Sequence, residues 1–375
     1  MTAFRLDETP GPGTHVLLIG VGAYPHLKGG SGRLNARHRD LGQLKSSPVS
    51  AMAMLEWVDR SLNNPEAPLK SIEVLISQPD APTYTDAEGV TQQIDPATWD
   101  NFEAAAQAWF DRADTDPDNV AIFYFCGHGI GDGINTYLLM QDSGASQDFL
   151  RQALHVSAFR VAMGACKAQK QLFLVDACRT LDLATVLNPH SSAQTGLAPG
   201  DVMQVFDGSN PVLHSARQGE LAFGMPGEVS YFTKALLLGV TRCAVFKPYG
   251  NHWAVSPQEL QKAIAALMDD FSGKPQCPAD GIVGVGFQLH VLAGPPEVVV
   301  HVTLDNDEAN PFAEISYTVL GETVIRPDKA HPWRTFVPCG QCSVQASFEP
   351  AGGFTAAPVD TYLVPPFQNI LLEVQ

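Results

Sequence analysis

The stretch NVAIFYFCGHG, residues 119–129, reads as a strand with no polar face that stops abruptly at Gly127-His128-Gly129. Alternation would mark a strand with one wet side, whereas an unbroken apolar run marks one covered on both, as in a parallel sheet. Similar runs lie at 15–21 (HVLLIGV), 71–77 (SIEVLIS) and 171–177 (QLFLVDA), and 136–140 (TYLLM) reads as a further strand. Helical spacing fills the intervals at 47–62, 98–112 and 147–165, and strand 212–216, helices 230–239 and 256–270 and strand 285–292 follow. Strands alternating with helices predict an α/β sandwich of three layers, α/β/α, around a mostly parallel sheet. Between about 180 and 210 the chain is rich in Gly, Ser, Pro and Asn, which reads as a long loop.

From about residue 293 the pattern changes. VVVHVTL, AEISYTVL, TFVPCG, CSVQASFE and NILLEV are short strands punctuated by Gly, Pro, Asn and Asp, predicting a small antiparallel β-sandwich. The expected division is a tail over 1–13, the α/β domain over 14–292, and the sandwich over 293–375, with the boundary near Gly294-Pro295-Pro296.

The chain has 375 residues and a net charge of −17, which argues against nucleic acid or anionic membrane as partner. No apolar run is long enough for a membrane span, and no signal-peptide core is readable near the N-terminus. Seven scattered cysteines, an odd number, predict reduced thiols and a cytoplasmic setting. No metal site and no cofactor are predicted.

Two strands end in reactive side chains: 119–126 in His128, and 171–177 in Cys178. In an open parallel sheet, ligands bind at the carboxyl ends of the strands. If the two strands are neighbours, the thiol and the imidazole emerge on one edge, where a His can take the thiol proton and later protonate a leaving amine. Alone, His128 is equally readable as a core histidine, and Cys178 reads more readily as a buried core thiol. Asp176, two residues before the thiol, is readable as a helix cap. Cys339 and Cys342 form a C-x-x-C inside strand signals, VPCGQCSV, which reads as a tight turn with two thiols; a thiol oxidoreductase is the weaker alternative.

These pieces resemble the caspase-like cysteine peptidase superfamily, in particular its bacterial caspase, metacaspase and CHAT-type members. FYFCGHG and DACR lie 50 residues apart at the His and Cys. HVLLIGVGAYPHL, LHSARQGELAF, SYFTKALLLGV and WAVSPQELQKAI follow in the family's order, over roughly 14–292. The resemblance implies a cysteine endopeptidase acting on a protein substrate, with an oxyanion hole from the backbone N–H groups of Gly129 and Cys178. It implies that Asp176 lies at the floor of the S1 pocket, in company with Ser215 and Ala216 of the substrate-binding strand. Asp in place of Gln implies cleavage after Arg or Lys. Ser50, in LKSSPVSA, stands where the family often has a second acid, and Asp142 is the candidate to supply it. Between Thr180 and Ala216 there is no Lys or Arg, so a basic-specific enzyme would not cut itself there. The resemblance also implies a role in bacterial stress response, antiphage defence or programmed cell death. The alternative is a catalytically idle scaffold, docking a regulatory protein partner through the C-terminal sandwich.

Overall fold

The computed structural model describes residues 3–38, 40–181, 193–197, 206–222, 224–243, 245, 252–272, 277–280, 286–327, 329, 332–349 and 352–375. Its centre is a seven-stranded sheet. The strands are β1 (Ala3–Leu6), β2 (Thr14–Val21), β3 (Leu69–Ser77), β4 (Val120–Gly127), β8 (Lys170–Ala177), β10 (Val212–His214) and β11 (Ala279–Asp280). In space they run β1-β3-β2-β4-β8-β10-β11, the five inner strands parallel and the two edges antiparallel. Between β4 and β8 lie three short strands, β5 (Gly129–Gly131), β6 (Thr136–Leu139) and β7 (Ala153–His155). They form a separate small sheet, completed by β9 (Thr180–Leu181).

The period-two geometry of the inner strands sends alternate residues to two helical layers. Val16, Leu18, Tyr124, Leu172 and Leu174 face α1 (Ser46–Arg60), α4 (Tyr231–Leu238) and α5 (Pro257–Ser272). Leu17, Ile19, Phe123, Phe125, Phe173 and Val175 face α2 (Trp99–Ala113) and α3 (Val156–Met163). This is why the strands read as apolar throughout. Each fully buried Leu or Phe contributes about 2 kcal/mol of burial. A Cβ on Gly20 would stand 2.4 Å from Ala51 Cβ, so α1 sits on β2 only because residue 20 is glycine.

The sequence between Gln147 and Ala165 is helical only over α3. Ala153–His155 instead pairs antiparallel with Tyr137–Leu139, and the His155 ring accepts the Ala158 N–H at 3.2 Å to start the helix. TYLL lies in that small sheet and not the main one. Of the strand expected over 285–292, only His290–Val291 is extended among the described residues, paired with Ala254–Val255 beyond the main sheet. The long loop expected after 180 falls largely outside the described residues.

The C-terminal region has strands β12 (Glu297–Leu304), β13 (Ala313–Val319), β14 (Glu322–Ile325), β15 (Trp333–Pro338), β16 (Gly340–Phe348), β17 (Val359–Leu363) and β18 (Phe367–Leu372). Two sheets, β15-β12-β18 and β14-β13-β16-β17, close over Val298, Val300, Val302, Ile315, Val344 and Ile370. The second is antiparallel, but in the first β12 pairs parallel with β18, so the expected all-antiparallel pattern is broken there. Val299, Phe336 and Phe367 point the other way and join the core beneath α5. Asp270 of α5 pairs with Arg334 and with His301 at 2.7 Å, and Arg242 with Glu297 at 2.7 Å. The sandwich is thus seated on the α/β layer through both apolar and ionic contacts.

Candidate active site

β4 and β8 are hydrogen-bonded neighbours in parallel register, Asp176 opposite Cys126 and Ala177 opposite Gly127. One residue on, that register carries Cys178 level with His128. Both emerge at the carboxyl edge of the sheet, where a crossover fold leaves its crevice. Gly129 is forced by the same closeness: a Cβ there would stand 2.4 Å from the Cys178 carbonyl oxygen and 2.9 Å from Ala177 Cβ. The Gly129 backbone therefore lies directly against that of Cys178.

His128 is held from three sides. Its N–H donates to the Tyr24 hydroxyl at 2.8 Å, its carbonyl accepts from Leu139 N at 3.0 Å, and its ring lies 4.9 Å from the Tyr24 ring. Ring Nε2 lies 2.7 Å from the Gly42 carbonyl oxygen. A carbonyl only accepts, so Nε2 carries the proton and Nδ1 of the neutral ring is left as the base. Burial holds His128 down to about 4, against a smaller upward pull from Gly42, so the ring is neutral near pH 7.

The Cys178 thiol is half-buried, and its sulfur accepts the Ala222 N–H at 3.3 Å. Burial pushes the thiol up, the Ala222 N–H opposes that, and the nearby Asp176 charge adds to it. The resting pair is therefore thiol and imidazole, not thiolate and imidazolium. Sγ and the imidazole are not hydrogen-bonded to each other.

Asp176 points to the α4 side of the sheet and is fully buried. Its Oδ2 accepts from Ser230 Oγ, from Thr233 Oγ1 at 2.8 Å and from the Cys126 thiol at 3.5 Å. Ser230 is the N-cap of α4, so the carboxylate also sits at the positive end of that helix. No Lys or Arg pairs with it among the described residues, and burial raises it, against the pull of the Ser230, Thr233, Cys126 and Ser215 donors. Ser50 stands beside it, its hydroxyl accepting Ser230 N at 3.0 Å. Ser215 continues β10 alongside β8, its N–H on Val175 O at 2.9 Å and its hydroxyl on Ala177 O at 3.2 Å, and Ala216 follows, fully buried.

Asp142 is not brought to this group. Its Oδ1 accepts the Trp99 N–H at 3.0 Å and caps α2, on the opposite helical layer from α4. It cannot act as the second acid beside Asp176, because the loop after β6 turns toward α2. Cys339 and Cys342 flank the turn between β15 and β16, at Gly340 with φ +137. Burial pushes both thiols up, the reverse of a reactive pair. Among the described residues no group of three His, Cys, Asp or Glu could hold a metal ion, and no helix is long and apolar enough to cross a membrane.

Several functional positions escaped the sequence. Gly42 acts through a backbone carbonyl, which no residue type announces. Arg179 carries more than its sequence suggested: its N–H donates to Glu220 O at 3.0 Å and its carbonyl accepts Gly219 N at 2.9 Å. Its guanidinium reaches Thr136 Oγ1 at 2.9 Å and Asp280 Oδ2 at 3.3 Å. Asp280 also meets His214 Nε2 at 3.0 Å, so one carboxylate ties the segment after Cys178 to the strand that precedes Ser215.

A family model described as the caspase domain matches residues 14–279. The uncharacterized protein y4kE of Sinorhizobium fredii is 27% identical over 266 residues, 68% of this chain and 75% of that protein. The crystal structure of caspase-1 from Spodoptera frugiperda superposes with a TM-score of 0.42 at 11% identity, covering 78% of this chain and 98% of that one.

Proposed function

The chain belongs to the caspase-domain family, and we propose that it is a cysteine endopeptidase that cleaves protein substrates after Arg or Lys. The observation that carries this reading is the level emergence of Cys178 and His128 from adjacent strands, with Gly42 fixing the imidazole tautomer. In the proposed reaction, His128 Nδ1 takes the thiol proton as Sγ attacks the scissile carbonyl. The tetrahedral oxygen is received by the N–H groups of Gly129 and Cys178, where preorganised donors are worth about 3 kcal/mol each. The imidazolium then gives its proton to the leaving amine, and water activated by the same ring releases the acyl group from sulfur.

The specificity rests on Asp176. A buried carboxylate without a cationic partner is costly, and a P1 guanidinium or ammonium would relieve that cost. With Ser50 in place of a second acid, Asp176 has hydroxyl donors around it and no second carboxylate bonded to that group among the described residues. A fluorogenic peptide panel tests this: P1-Arg and P1-Lys should be turned over fastest, and faster turnover of P1-Asp would overturn it.

A second reading, a scaffold that docks a regulatory protein through residues 293–375, is favoured by the exposed Leu320, Val324 and Ile325 at the β14 edge of the sandwich. Tight binding of a partner by the Cys178→Ala protein, with no hydrolysis by the wild type, would favour it over the peptidase. A role in stress response, antiphage defence or programmed cell death is proposed on the family resemblance, and loss of the phenotype in a Cys178→Ala strain tests it.

A further inference from the structure

In a chain of net charge −17, residues 26–45 carry Lys28, Arg33, Arg37, Arg39 and Lys45 against the single acid Asp40. This is the loop between β2 and α1, and it delivers Gly42 to His128. It also forms one wall of a cavity of about 440 Å³. His26, Arg33, Asn35 and Arg37 line one side, Gly144 and Gln147 the other, and among the described residues no carboxylate lines it.

Some arginines of this chain are neutralised by carboxylates, and the two in this cleft are not. Arg5, Arg112, Arg179, Arg242 and Arg334 each pair with a carboxylate. Arg37 has only a 3.4 Å contact with the Gln147 carbonyl, and the Arg33 side chain has no partner among the described residues. Neither guanidinium meets a carboxylate among the described residues, as is also true of Arg60 and Arg160, but these two share one concave site. Unpaired guanidinia facing one cleft favour carboxylates, which they bind in bidentate fashion.

The cleft is built on a braced frame. Asn35 Nδ2 donates to the carbonyls of Gly144 and Ser146, both at 2.8 Å, pinning its two walls together. Gln43 clamps Tyr24 N and O at 2.8 and 2.9 Å, and Lys28 N donates to Leu41 O at 3.0 Å. The frame that presents Arg33 and Arg37 therefore also holds Tyr24 and Gly42, both bonded to His128.

We propose that this cleft binds an acidic stretch of the protein substrate. Leu34, half exposed and lining the same cleft, separates the charges and offers an apolar contact. That spacing suits a polypeptide with alternating acidic and apolar side chains, whereas a free anion needs donors converging on one point. The protein substrate comes from the peptidase reading above; the charge of the ligand does not depend on it.

The test separates the two. A fluorescein-labelled peptide rich in Glu and Leu is titrated by anisotropy against the intact Cys178→Ala chain, alone and with Arg33→Glu/Arg37→Glu added. The expected result is binding that weakens with salt and falls at least tenfold in the charge-reversed protein. Equal binding by both proteins overturns the proposal, as does complete displacement by low-millimolar inorganic phosphate, which would make the cleft a small-anion site. In a second arm, Arg33→Glu/Arg37→Glu should lower kcat/KM tenfold or more for a P1-Arg substrate with an acidic extension. A short P1-Arg peptide should be unaffected, and an equal loss on both overturns the proposal. Failure of the wild type to cut either peptide would sink the peptidase reading and leave the binding arm to decide this one.

Discussion

Replacing Asp176 by Asn separates a specificity charge from a helix cap. The carboxylate is fully buried, and its partners are the hydroxyls of Ser230 and Thr233 and the Cys126 thiol, all donors to Oδ2. An Asn oxygen can accept the same protons, so the tie to α4 survives. What disappears is the charge, which burial already disfavours. Asp176→Asn should therefore melt at the same temperature as the wild type or higher. A P1 guanidinium meeting an ionised carboxylate in this recess loses its counter-charge, at a cost of about 3 kcal/mol or roughly 150-fold in kcat/KM. Peptides with an uncharged P1 should be cut at nearly unchanged rates. The wild type should also lose P1-Arg affinity as the pH falls through the raised pKa of Asp176, because only the ionised form attracts the cation; the Asn variant should lack that dependence. The assay is a paired one, P1-Arg and P1-Gln peptides across pH 4–8 alongside thermal melts. A fall in Tm with equal losses on both peptides would refute the reasoning and leave Asp176 as a cap.

Other outcomes follow from the same geometry. His128 is held down to about 4, so kcat/KM should be limited on the acid side by a group well below the usual histidine range, not near 6.5. His15, His128 and His290 are all neutral to about 4 in the fold while the unfolded chain takes up protons near 6.5, so stability should drop as the pH falls through that window, measured by urea melts. Asp280→Asn leaves the buried Arg179 without its counter-charge and should destabilise by about 2 kcal/mol, lowering kcat more than it raises KM. Active material should be a single chain across residues 181–216; a cut there, lost in Cys178→Ala, would contradict basic specificity.

How much of this was legible in the sequence depends on which atoms do the work. The inner strands were readable because burial on both faces removes every polar position, and NVAIFYFC and QLFLVDA show that directly. Cys178 and His128 were readable because each terminates such a strand. The helix expected over 147–165 was not, because an apolar run serves a buried strand as well as a helix, and only the pairing of Ala153–His155 with β6 decides between them. Asp142 was misplaced for a related reason: proximity to a strand end says nothing about which helical layer the loop turns toward. Gly42 could not be found at all, since a carbonyl is present at every residue. Asp280 lies 102 residues from Cys178, and a partner at that separation becomes visible only when β11 closes on β10.

The central claim is that Cys178, activated by His128, is the nucleophile. Incubating the intact protein with a peptidyl-Arg chloromethylketone and mapping the adduct by mass spectrometry tests it most directly. The account predicts alkylation of Cys178 alone among the seven cysteines, slowed at least a hundredfold in His128→Ala. An adduct on Cys339 or Cys342 instead, or labelling of Cys178 at the same rate without His128, would contradict it.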